Sequence, residues 1–396
     1  MTERLARRRT GGIRAFTAVT VLALSILAFV AQDAFGTVKF GVVKWDARVN
    51  AAVYDTIRSK AGTGGADLDK IMGDLTGYDA AGNKVVATVH GQPYDFGASP
   101  YCRWQRGPEY GDSGIAMANE YVREYFEGLG LDEVLKQKWT GIDDTYHPAW
   151  GGGTRVNGVQ VIGEITGRTK PNQIVLVCGH IDSVAYDGIL PMDFIFAPGA
   201  DDNLTGAATT MVAARELAPY KFARTIRFAC WGGEEEGLLG ARAYAKRCRR
   251  LGEKIVAVVN VEMTGRDLDA ANPETACVME VHTRSLDGDG PFGTGYGDAR
   301  IWRTFKGVVN TYGVLITPKL LRDDQEYSDH SAFWRRGYNA IAIEEQDLKD
   351  NVNYHCATDT VANLNMPYFK RIASATVGTT AHLAQILDPS WHQTRH

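Results

Sequence analysis

The sequence predicts an α/β protein built on a mostly parallel central sheet flanked by helices on both faces. Three observations carry that prediction. The apolar runs QIVLVCGH, TIRFACW, KIVAVVNVEM and NAIAIEE have the length and composition of buried strands. Amphipathic or alanine-rich stretches of helical length separate most of them, which is the alternation of parallel sheets. Finally, His180, Asp182, Glu234, Glu235 and Glu262 fall at or just past the ends of those runs, and open parallel sheets bind ligands beyond the carboxyl ends of their strands.

In chain order, the first 31 residues carry five arginines and one glutamate, so the formal net charge of −4 leaves −8 on the remainder. An acidic body argues against nucleic acid as a partner. RLARRRTGGIR is followed by an uncharged apolar run of 17, Ala15–Ala31. That pattern reads residues 1–36 as a signal peptide or an N-terminal signal anchor. Cleavage after Ala31 would place Phe29 where a small residue is wanted, so both forms stand: a secreted protein, or one held at the outer face of the membrane through residues 15–31. Six cysteines (102, 178, 230, 248, 277, 356) are few for an exported chain of 396 residues. Cys178 and Cys230 lie in strand-like runs and read as buried thiols. No C-x-x-C pair marks a structural zinc site, and one disulfide among the other four is compatible with an oxidising compartment.

Residues 37–98 form a mixed extension without a chemical motif, and the organisation tightens over 99–390. SGIAMANEYVREYFEGLGLDEV is an amphipathic helix stopped by Gly128 and Gly130. VNGVQVIGEITG alternates as a strand, and GRTKP turns the chain into QIVLVCGH. NLTGAATTMVAARELAP is a helix, capped by Asn203 or Thr205 and ended at Pro219. TIRFACW is a strand, GLLGARAYAKRCRRLG a helix with a basic last turn, and KIVAVVNVEM a strand. Residues 266–298 hold one more strand in a Gly/Asp-rich loop region. NAIAIEE is the last strand and FKRIASATVGTTAHLAQIL the closing helix.

The chemistry follows from the polar residues. His180 and Asp182 form H-x-D after a strand, and a metal-binding imidazole commonly hands its other ring N–H to a carboxylate. Asp202 lies in A-D-D-N, Glu234 and Glu235 follow W-G-G, Glu262 ends a strand, and His355 lies in Y-H-C-A-T-D-T. Singly, an H-x-D at a strand end, an acidic triplet or an Asp-Asp-Asn turn is usually structural. Together they supply two histidines and three carboxylates for a hard-to-borderline divalent metal such as zinc, with one carboxylate over as a base. One member of the Glu234–Glu235 pair can bind metal while the other faces a reacting water. Two zinc ions sharing a carboxylate would use all five ligands.

The motifs H-I-D-S, A-P-G-A-D-D-N-L-T-G, W-G-G-E-E-E-G-L-L-G, N-V-E-M-T-G, S-D-H-S-A-F and Y-H-C-A-T-D-T, in that order over residues 99–388, resemble the co-catalytic dizinc aminopeptidases. These belong to the twenty-eighth metallopeptidase family, which includes glutamate carboxypeptidases and is related to glutaminyl cyclases. The resemblance makes residues 99–390 a dizinc peptidase domain and implies peptide substrates with a free N-terminus. By position, His180 and Glu262 would hold one Zn2+, Glu235 and His355 the other, and Asp202 would bridge them. Glu234 matches the general base that takes a proton from the metal-bridging water. Asp182 matches the carboxylate behind His180, and Tyr354 a tyrosine that stabilises the oxyanion. Asp329 and His330 match a signature to which no catalytic role attaches. Many members carry Asp where this chain has Glu262, whose longer arm still reaches a metal. The insertion AYDGILPMDFIF is expected to overhang the cleft and shape specificity, with Tyr186, Phe194 and Phe196 either lining a hydrophobic specificity pocket or, the preferred reading, packing the loop.

Three rival readings share the fold. A glutaminyl cyclase would use one zinc for acyl transfer, yet all five dizinc positions are filled here. A carboxypeptidase would need a basic pocket, to which Arg266, Arg322, Arg335 or Arg336 could contribute. A binding ectodomain would ordinarily have lost ligands that this chain keeps.

Overall fold

In chain order the elements are helix α1 (Gly64–Thr76), the hairpin β1 (Ala87–Val89) and β2 (Gln92–Tyr94), α2 (Gly114–Gly128), β3 (Glu133–Ile142), β4 (Arg155–Ile165), β5 (Lys170–His180), α3 (Thr205–Leu217), β6 (Arg224–Trp231), α4 (Leu239–Leu251), β7 (Lys254–Glu262), β8 (Val278–Thr283), α5 (Tyr296–Tyr312), β9 (Thr317–Arg322), α6 (His330–Trp334), β10 (Ala340–Glu345) and α7 (Met366–Ala384). The computed structural model describes residues 64–98, 103, 113–142, 155–185, 196–267, 277–288, 290, 292–346 and 348–387.

Side-chain alternation in the central strands dictates the layers. In β5, Val175 and Val177 enter one core while Ile174, Leu176 and Cys178 enter the other; in β6, Ile226, Phe228 and Cys230 oppose Ala229 and Trp231. A sheet apolar on both faces must be covered on both. Helices α1, α2, α3, α5 and α7 cover the first face, and α4 with α6 covers the second. Phe228 is fully buried at the centre of the larger core. Phe228→Ala is expected to lower unfolding free energy by about 3–5 kcal/mol in urea titrations; a loss under about 1 kcal/mol would mean that this face is not tightly packed.

The strands of the main sheet run β3-β4-β6-β5-β7-β10-β8-β9. β6, β5, β7 and β10 are mutually parallel, and β9 is parallel to β8. The expected parallel sheet therefore forms the centre of a mixed one: β3 and β4 add antiparallel on one side, and β8 runs antiparallel to β10 on the other. The flanks differ because they are half exposed. β3 alternates between exposed and partly buried residues and β9 is mostly uncovered, so neither shows the continuous apolar run of a central strand.

Other expectations shift by a few residues. The first predicted helix does stop at Gly128, at its expected glycines, with Ser113 Oγ accepting the Ala116 amide at its start; the end of that stretch, Glu133 and Val134, belongs to β3. Residues 64–98, expected as an extension, contribute Leu68, Ile71, Met72 and Leu75 of α1 to the same core as β5 and α3. Cys178, Cys230, Cys248 and Cys356 are free thiols, and Cys277 Sγ accepts a hydrogen bond from Arg371 at 2.9 Å. Among the described residues no helix is long and apolar enough to cross a membrane. The run Ala15–Ala31, Cys102, Tyr186 and Phe194 lie outside the described residues. Phe196 packs edge-on against Tyr78 at 5.8 Å.

Candidate metal centre

The four parallel central strands bring the site together at one edge of the sheet. β5 ends on His180 and β7 on Glu262, while Glu234 and Glu235 follow β6 through a Gly-Gly turn. The connection after β10 carries Tyr354 and His355. Asp202 comes from the tight turn between β5 and α3. That turn depends on Gly199, at φ +51°, where a Cβ would lie 2.4 Å from the Ser183 Cβ and 2.5 Å from the Asp202 carbonyl. A Cβ on Gly206 would lie 2.2 Å from the Val261 carbonyl, so its absence lets the start of α3 rest directly on β7 beside Glu262.

Asp202 faces both histidines. Its Oδ1 lies 3.2 Å from His180 Nε2 and its Oδ2 lies 3.0 Å from His355 Nε2. Glu262 Oε1 is also 3.2 Å from His180 Nε2, and Glu235 Oε2 is 3.0 Å from His355 Nε2. Two groups result, His180–Asp202–Glu262 and Asp202–Glu235–His355, each with donor atoms within 4.8 Å of one another. Glu234 Oε2 stands 3.9 Å from His180 Nε2. Tyr354 is 41% exposed at the rim and stacks on His355 with ring centres 3.8 Å apart. The backbone is strained at two of these positions, with φ +54° at His355 and +39° at Met263, directly after Glu262.

Asp182 sits behind His180 with a division of labour the sequence did not suggest. The nearer acceptor for His180 Nδ1 is the Asp182 backbone carbonyl, at 3.1 Å, while its carboxylate Oδ1 stands at 3.5 Å. The other carboxylate oxygen accepts the Glu235 amide at 3.1 Å, so Asp182 ties the loop after β5 to the loop after β6.

Several supporting residues escaped sequence reasoning. Ser328 Oγ donates to Glu262 Oε2 at 2.6 Å and accepts from Asn260 Nδ2 at 2.7 Å. Asn203, by contrast, was expected as a cap of α3: its Oδ1 accepts the Gly206 amide there and also that of Met263. The fully buried Arg103 donates to the carbonyls of Leu75, Ile181, Pro198 and Gly199, at 2.7–2.8 Å. The S-D-H motif was a signal for Ser328; Arg103 had none. Of the arginines considered for a carboxylate pocket, Arg335 pairs with Glu326, and Arg322 and Arg336 are exposed.

Five carboxylates thus lie within 3.9 Å of two imidazoles in a buried site. Burial pushes Glu234 well above the usual carboxyl range and raises Glu262. Although burial opposes its charge, Asp202 is held below that range by His180 and His355. One oxygen of Glu235 has no hydrogen-bond partner among the described residues. Buried negative charge in such excess calls for cations, and a nitrogen–oxygen donor set with a shared carboxylate fits divalent zinc.

In metal-free protein the same groups dictate a pH dependence. Burial pushes Glu235 up to about 7. Burial also opposes the His355 imidazolium, but Glu235 and Asp202 outweigh it and push that group up to about 10. A raised group keeps its proton in the folded chain after the unfolded chain has released it, so stability falls as pH rises through the interval. That interval runs from 4.5 to about 7 for Glu235 and from 6.5 to about 10 for His355. Chelator-treated protein is therefore expected to melt at a lower temperature at about pH 9 than at about pH 7. An equal or higher melting temperature at the higher pH would contradict these shifts.

Residues 160–380 match the family model described as Peptidase family M28. The chain is 26% identical over 70% of its length to leucine aminopeptidase 1 of Sclerotinia sclerotiorum, covering 66% of that protein. It is 30% identical over 71% of its length to a probable leucine aminopeptidase of Trichophyton verrucosum, covering 67%. The chain thus spans about two thirds of the length of these relatives. Among solved structures its fold is similar to the LapA aminopeptidase of Legionella pneumophila, with a TM-score of 0.60 at 21% identity over 87% of this chain and 75% of that one.

Proposed function

The chain belongs to peptidase family M28, and on that footing we propose that it is a dizinc aminopeptidase releasing N-terminal residues from peptides with a free α-amino group. The observation that carries this reading is the pair of Asp202 oxygens, each turned to a different histidine and each joined there by a glutamate. His180, Asp202 and Glu262 would hold one Zn2+, and Asp202, Glu235 and His355 the second. When bound, such ions supply Lewis acidity, polarising a carbonyl and acidifying water.

The chain's own residues do the rest. Glu234, whose burial makes its carboxylate a stronger base than a solvated one, takes the proton of the attacking water and returns it to the leaving amine. Tyr354 stays a neutral phenol, because partial burial and the nearby carboxylates of Asp202 and Glu235 raise its pKa. Its hydroxyl is thereby a donor to the oxyanion that develops on the scissile carbonyl. The acidic surroundings suit the substrate's ammonium group. Asp182 holds the ring of His180 and the backbone of Glu235 in one frame. The arginine-rich start and apolar run of residues 1–31 support export, with the enzyme secreted or anchored at the outer membrane face.

The test is a panel of aminoacyl chromogenic substrates, leucyl first, offered with free and with acetylated amines. Hydrolysis of the free forms alone, abolished by chelator and restored by zinc, is the expected result. Equal cleavage of acetylated substrates, or indifference to chelator, would overturn the reading. Ser328→Ala, which removes the hydroxyl bound to Glu262 Oε2, is expected to weaken zinc at the His180–Glu262 half by about 10–100-fold. Competition with a fluorescent chelator would measure it.

A further inference from the structure

We propose that Asp359 is a positioning residue that locks the two halves of the metal centre to each other, an inference that rests on the dizinc reading above. Asp359 is buried, and its two carboxylate oxygens accept successive backbone amides: Oδ1 takes that of Asp201 at 2.8 Å and Oδ2 that of Asp202 at 3.0 Å. Its own carbonyl accepts the Ala200 amide at 3.1 Å. One residue therefore holds three consecutive amides of the turn that presents Asp202.

Those amides need an outside partner. The backbone at Asp202 (φ −102°, ψ 97°) and Asn203 (φ −128°, ψ 48°) is not helical, so a regular helical ladder does not organise the turn, and buried N–H groups left unpaired are costly. A carboxylate taking two of them forms charge-assisted hydrogen bonds, which are short and directional. Asp359 also lies four residues after His355, in a connection folded by its own turns: the Tyr354 amide bonds to Asn351, that of Cys356 to Asn353, and that of Asp359 to Cys356. The backbone that aims the shared carboxylate and the backbone that presents His355 are thus joined through Asp359. Ser328 differs in kind, since its hydroxyl supports the carboxylate of Glu262, in one half of the centre.

Asp359→Asn keeps the size of the side chain but offers one acceptor oxygen to two amides. It is expected to weaken zinc in both binding steps by about 10–100-fold, where Ser328→Ala weakens only one. The experiment titrates chelator-treated full-length wild type, Asp359→Asn and Asp359→Glu with zinc against a competing chelator, and records the melting temperature of each metal-free protein. Weakening of both steps in Asp359→Asn with an unchanged metal-free melting temperature, and partial recovery in Asp359→Glu, which keeps two acceptors, is the result expected. Unchanged zinc affinity, weakening of one step only, or a loss matched by a fall in metal-free melting temperature in both variants would overturn the positioning role. Wild-type protein that takes up no zinc would instead overturn the dizinc reading.

Discussion

Glu234→Gln is expected to lower kcat by about 10²–10⁴-fold while leaving two zinc ions on each chain. The substitution keeps the length and shape of the side chain and removes its capacity to accept a proton. Glu234 is placed for that task by the turn after β6, which separates it from its neighbour: Glu235 stands against His355 at 3.0 Å, whereas Glu234 stands 3.9 Å from His180. Burial raises its pKa, which suits a group that must receive a proton and give it back within one turnover. Because Glu234 is the base rather than a ligand in this account, KM and metal content should change little. Near-normal kcat in the variant would remove Glu234 from the role of base, and loss of zinc would make it a ligand.

The second large effect is expected from Asp202→Ala. Asp202 faces both histidines, with one carboxylate oxygen engaged by each. Its removal takes a donor from each half at once and leaves His180 and His355 facing a gap. Zinc content should fall to one equivalent or fewer per chain. Loss of several kcal/mol of transition-state stabilisation should lower kcat/KM by about a thousand-fold or more. Substitution of either histidine removes a donor from one half only, so its metal loss should be confined to that half. Two tightly held zincs in Asp202→Ala would contradict the shared carboxylate.

What could be read from sequence follows from how each element is stabilised. β5, β6, β7 and β10 are buried on both faces, so each is written as a continuous apolar run, and the residues that matter fall where those runs end. β3, with EVLKQKWTGI half exposed, and β9, with TPKLLR at an edge, lack that run and were missed. So was the mixed direction of the flanking strands, because strand direction at an edge depends on connections rather than on local composition. The five side chains of the two candidate metal groups were legible because His, Asp and Glu at strand ends have few structural reasons to gather. Arg103 was not, and Asp359, although it stands in the Y-H-C-A-T-D-T motif, carried no readable role. Their partners are backbone carbonyls and amides, which every residue possesses, so nothing in the sequence marks the complement. Asp182 was legible as the partner of His180, but the use of its carbonyl rather than its carboxylate as the nearer acceptor is a matter of loop geometry.

The central claim is that Asp202 holds two metal ions at once, and zinc titration of the chelator-treated protein tests it most directly. Elemental analysis and leucyl-substrate hydrolysis would be followed on the same samples. The account predicts saturation at two zinc ions per chain, with uptake of the second lost in His355→Ala. Saturation at a single ion, or full hydrolysis by metal-free protein, would contradict it.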